Sequence, residues 1–125
     1  MAMTAILFSA LLAQSAFSMG ANPQEVERED VGYEQLAAGN PEGAIAAIEA
    51  NRSLESDDPA ALINLGNAHA RLGHTDQAIK HYRAAIASDV QYDLELADGS
   101  WMDSRKAAEI ALNDLLKGAA QALRD

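Results

Sequence analysis

Two glycines recur at a spacing that composition alone does not produce: Gly32 with Gly66, and Gly39 with Gly73, are each 34 residues apart. Ala44 with Ala78, Ile45 with Ile79, Ile48 with Tyr82 and Ala50 with Ala84 keep the same offset. A fixed period in this range means one supersecondary unit stacked on a copy of itself, because a single unit cannot bury its apolar face alone. Local signals say what the unit is. Asp58-Pro59 is an N-cap followed by proline at the first helical position, and Leu62, Leu65, His69 and Leu72 then share one helix face. Gly73 stops that helix, Thr75 is placed to cap the next, and Ala78, Ile79, Tyr82, Ala85 and Ile86 form its stripe. Gly66 and Ala78 are small where the two helices approach. Gly39 and Asn40-Pro41 repeat the stop and the start in the first unit, so the sequence predicts two helical hairpins.

From Val90 the pattern changes. Val90, Tyr92, Leu94 and Leu96 alternate with polar residues, and Asp98-Gly99 is a two-residue hairpin signal that would set Leu96 opposite Trp101. Asp103 or Ser104 then caps a final helix with Ala108, Leu112, Leu115, Ala119 and Leu123 on one face. Stacked helices need a terminal cap, and residues 93–125, hairpin plus helix, are expected to supply it. The other end is a separate object. Residues 1–18 hold an apolar run from about Ala5 to Ala13 followed by small residues, which reads as a secretory signal peptide cut after Ser18, although the basic n-region is missing. An uncleaved anchor and a folded helix are the alternatives; no stable membrane span is expected after processing. The expected location is the periplasm or cell envelope.

Charge and residue types limit the chemistry. The formal net charge is -10, and every Asp, Glu, Lys and Arg lies from Glu25 onward, so the clustered cations that nucleic-acid phosphates require are missing. There is no cysteine, which removes disulfides and thiolate sites. His69 lies on the buried stripe and is expected to pack in the core; His74 falls in the turn and His81 off the stripe of its helix. With no i, i+4 pair among them, no metal site is expected. No nucleophile elbow and no glycine-rich phosphate loop occur, and the acidic runs read as solvated faces and caps. Neither catalysis nor a cofactor is expected.

The second unit, "PAALINLGNAHARLGHTDQAIKHYRAAIASDVQY" (residues 59–92), resembles a tetratricopeptide repeat at Leu62, Leu65-Gly66, Ala78, Tyr82 and Ala85. It departs at His69, where that family has an aromatic residue, and at Val90, where proline is common. The first unit, residues 25–58, keeps Gly32, Ala44 and Ile48 but has Asn51 at the second alanine position. The resemblance implies a mainly α fold: an α-α superhelix of two helical hairpins, with the β-hairpin and capping helix behind it. It also implies a non-catalytic interaction module whose first helices line a concave groove for a partner protein or peptide. By position, the groove residues would be Ile63, Asn64, Asn67, Ala70 and Arg71, with Glu29, Tyr33 and Leu36 from the first unit. Asn64 and Asn67 would bond a peptide backbone and Arg71 a carboxylate. The alternative for the two asparagines is that they face water or support packing. Two repeats are fewer than a free-standing stack usually needs, so a homodimeric scaffold and an accessory subunit of an envelope enzyme are the other readings.

Overall fold

The computed structural model describes residues 31–51, 57–96 and 98–124; residues 1–18 and Glu29 lie outside that set. In chain order the elements are α1 (Tyr33–Ala37), α2 (Pro41–Ala50), α3 (Pro59–Arg71), α4 (Thr75–Ala87), β1 (Asp93–Glu95), β2 (Trp101–Asp103) and α5 (Ser104–Ala122). The helical hairpins α1–α2 and α3–α4 are stacked through α2 on α3, and α5 lies along α4 with part of its face against α3. The fold is mainly helical, with one small antiparallel sheet.

The repeat is visible in how its helices stop. Gly39 and Gly73 have the same left-handed conformation, both at φ 77°. Each lets the chain close the same pair of bonds. Gly39 and Asn40 donate to the carbonyls of Leu36 and Gln35, at 3.1 and 2.8 Å, and Gly73 and His74 donate to those of Ala70 and His69, at 3.1 and 2.9 Å. This is the Schellman arrangement, which satisfies the carbonyls a helix end leaves unpaired. The starts follow the sequence less evenly. Asn40 and Asp58 cap α2 and α3 through their side chains, accepting from Gly43 and Ala60, each with proline at the first turn. The residue that caps α4 is His74, without a side-chain bond, and Thr75 is already helical. The cap position falls on His74, 34 residues after Asn40, so α4 begins one residue earlier than a cap at Thr75 would place it.

The core is centred on α3. Every residue from Pro59 to Ala68 is buried, including Ile63 and Leu65. Around it lie Val31, Ile48, Ala78, Tyr82, Ala85, Leu94, Ala107, Ala108 and Ala111. Much of this core is alanine and glycine, so it is held by close backbone approach more than by bulk. The tightest point is Gly66: a Cβ placed there would lie 2.5 Å from Cε1 and 2.6 Å from Cδ1 of Tyr82. The first unit has a looser version, where a Cβ on Gly32 would meet Ile48 Cδ1 at 2.9 Å. Ile48 and Tyr82 are repeat-equivalent, so the glycine-against-bulky-residue contact recurs with the period.

The C-terminal hairpin forms with a shifted register. Leu94 pairs with Met102 and Glu95 with Trp101, in place of the expected Leu96 with Trp101. Leu96 instead receives the Gly99 amide at 2.9 Å and donates its own to the Ser100 carbonyl at 2.6 Å, with Gly99 left-handed at φ 85°. That is the longer hairpin connection, a turn closed by a left-handed residue, and one extra loop residue slips the pairing by one. Leu94 therefore points into the core while Trp101 stands 52% exposed. A sheet this small would be marginal alone. It is tied at its open end: the Ser104 amide donates to the Tyr92 carbonyl at 3.0 Å, Arg105 donates to the Ser88 carbonyl at 3.1 Å, and Tyr92 Oη donates to Asp58 Oδ1 at 2.5 Å. Asp103 caps α5 by accepting from Lys106. Of the expected stripe on α5, Ala108 is buried and Leu112 and Leu115 are half-buried, whereas Leu123 lies past the helix end and is 90% exposed.

Gly66→Ala should lower stability by about 1–2 kcal/mol, because the buried Tyr82 ring cannot give way, even though alanine favours helix. Gly118→Ala on α5, where a Cβ meets nothing within 4 Å, should raise stability by about 0.5–1 kcal/mol. Urea unfolding of the two variants checks both signs.

Candidate functional site

The groove residues expected from sequence divide sharply. Ile63, Asn64 and Asn67 are buried, at 1%, 1% and 2% exposure. Asn64 donates through Nδ2 to the Val31 carbonyl at 2.7 Å, joining α3 to the segment before α1. Asn67 accepts through Oδ1 from Tyr82 Oη at 2.5 Å, joining α3 to α4. Both amides hold the fold instead of facing a ligand. Burial pushes the Tyr82 phenol well above its ordinary range, so it stays a protonated donor at any ordinary pH. Leu36 is also buried, and Ala70 is half-buried.

Arg71 and Tyr33 remain at the surface, exposed and half-buried respectively. The Arg71 Nη1 donates to the Leu36 carbonyl at 2.6 Å, so the guanidinium bridges from the end of α3 to α1. This carbonyl is one the α1 stop leaves with spare acceptor capacity. An exposed guanidinium fixed at one nitrogen is oriented in advance, which favours planar recognition of a carboxylate.

Histidines form a second cluster at the α3–α4 turn. His69 Nδ1 and His74 Nδ1 are 3.2 Å apart, and the His81 ring stacks on His69 with centroids 5.4 Å apart and planes 17° from parallel. The sequence reading separated these three residues, one on each segment, and kept His69 in the core; the structure brings all three together and leaves His69 half-buried. The Schellman turn is the reason. Its last residue, His74, folds back over the third residue from the helix end, His69, and antiparallel α4 returns His81 to the same place. The contact between those two turn positions is a known accompaniment of the motif, so Gly73 in the sequence was the available signal. Burial, followed by His69 and Lys80, pushes the His81 imidazole down to about 4. His69 is also lowered, by burial first and by His74 next, against the opposing pull of Glu49. Among the described residues, no group of three or more His, Cys, Asp or Glu side chains is arranged to hold a metal ion, and no helix is long and apolar enough to cross a membrane.

A family model described as "Tetratricopeptide repeat" matches residues 59–90. Neither the curated proteins nor the solved structures give a match to the chain.

Tyr82→Phe should cost about 1–3 kcal/mol, because it removes the bond to Asn67 Oδ1 from an amide whose Nδ2 has no partner among the described residues. A thermal melt of the variant checks it.

Proposed function

We propose that this protein, whose residues 59–90 match the tetratricopeptide repeat, is a non-catalytic protein–protein interaction module of the cell envelope. The observation that carries the reading is the pairing of this fold with an outward guanidinium: Arg71, exposed and held at the end of α3 by the Leu36 carbonyl. A partner segment ending in, or rich in, carboxylates would meet Arg71, with Tyr33, on the same helix as Leu36, offered as an aromatic contact. Contact through Ile63, Asn64 or Asn67 would first have to separate α3 from Val31 and Tyr82, so those three residues support the surface from behind. The envelope location is proposed on the uncharged apolar run of residues 1–18.

A second reading, a homodimeric scaffold, is favoured by one observation. Leu116 and Leu123, at 40% and 90% exposure, leave apolar area uncovered at the end of α5.

Crosslinking pull-down from the native host should capture a partner with the wild-type chain and lose at least about nine-tenths of it with Arg71→Glu, a change worth about 1.4 kcal/mol or more of binding. Arg71→Lys should retain part of it, and circular dichroism of each variant checks that the fold survives. Equal capture by Arg71→Glu would sink the Arg71 contact. Light scattering over a concentration series tests the homodimer, and a monomer throughout removes it.

A further inference from the structure

The histidine cluster is not used by the proposed binding surface, yet it occupies the joint on which the second hairpin closes. The bond between His69 Nδ1 and His74 Nδ1, at 3.2 Å, requires one ring nitrogen to donate and the other to accept. One proton can be shared by that pair without breaking the contact. Two cannot, since both nitrogens then become donors. His81 lies face to face with His69 at 5.4 Å, so a charge on each of those rings is also opposed. The backbone of the same residues closes the turn, with the His74 amide donating to the His69 carbonyl at 2.9 Å.

We propose that His69, His74 and His81 form a proton-operated latch on the α3–α4 joint, closed while the rings are neutral and loosened when the cluster takes up more than one proton. The surrounding charges are few. Glu49 on α2 and the negative end of the α3 dipole favour a proton on His69. Lys80 on α4 opposes one on His81, and Asp76 shares the shallow surface pocket beside His74. Arg71, two residues past His69, and Asp114 on α5 act on Tyr82. No carboxylate of α5 or α4 is among the groups acting on the two shifted rings.

His69 and His81 are both held below their ordinary value of 6.5, and His81 sits at about 4. The unfolded or opened chain therefore binds more protons across that interval. The closed state has its full advantage above 6.5 and loses it as the pH falls toward 4. This is an acid-opened device, with its window set by folded imidazoles that resist protonation.

The test uses the full chain in two measurements. Imidazole NMR titration should show His81 titrating near 4 and His69 below 6.5. Amide exchange at Gly73 and His74, normalised to Leu62, should rise at least about fivefold between about pH 7 and about pH 4.5 in the wild type and stay level in His69→Gln, which removes both the pairing with His74 and the stack on His81. The proposal is overturned if both rings titrate at the ordinary value, or if the normalised exchange of wild type and variant changes in parallel. Should His69→Gln not fold, the wild-type titration and exchange profiles decide alone.

Discussion

The fold depends on one close approach, Gly66 of α3 against the ring of Tyr82 on α4. With no Cβ at position 66, the helix backbone and the aromatic face come within a distance that any side chain would prevent. The same ring then carries its hydroxyl to Asn67, one residue along α3, so a steric fit and a buried hydrogen bond fix the same pair of helices. Apolar contact alone tolerates sliding; a donor that must meet one acceptor does not. The spacing and rotation of the hairpin follow, and with them the positions of everything packed on it.

The chain beyond the repeats is organised by what this hairpin leaves unsatisfied. Ser88, at the end of α4, donates to the Asp57 carbonyl and receives Arg105 at its own carbonyl, while Tyr92 reaches Asp58 at the start of α3. The hairpin β1–β2 thus connects the two ends of the second unit and delivers α5 onto α4. Burial raises the Asp58 carboxyl, and bonds from Tyr92 and the backbone of α3 pull it back. The hairpin places Leu94 in the core, packs Leu96 and Met102 against it and turns Trp101 outward, so it is a fastening with one fully buried apolar residue.

Polar residues near the repeat surface were the hardest to interpret because their type fits two roles. Asn64 and Asn67 have amides suited to a peptide backbone, and both are spent within the chain on Val31 and Tyr82. Arg71 has a charge that cannot be buried cheaply, and it remains at the surface while bonding inward at one nitrogen. On the binding role proposed for this fold, contact with a partner falls to groups whose desolvation is too costly to complete. The histidines behave differently again, since each is tolerable at its own position and only their meeting makes a proton-sensitive joint.

How much of this was legible can be argued residue by residue. The 34-residue period, the stops at Gly39 and Gly73, the caps at Asn40 and Asp58, Asp103 as one of two candidate caps, and the small residue at Gly66 were all readable, because each acts through its own backbone or immediate neighbours. The hairpin register was not, because one extra turn residue moves every cross-strand partner and the strands are too short to pin it by pattern. The inward turn of Asn64 and Asn67 and the meeting of His69, His74 and His81 depend on partners 33, 15 and 5 residues or more away. By itself the sequence determined the repeat, its helix stops and the closeness of α3 to α4, since those are local steric and capping constraints. Only the tertiary structure decided which polar groups stayed at the surface and which were consumed within the fold, because that choice is made by the geometry of distant groups competing for the same donors and acceptors.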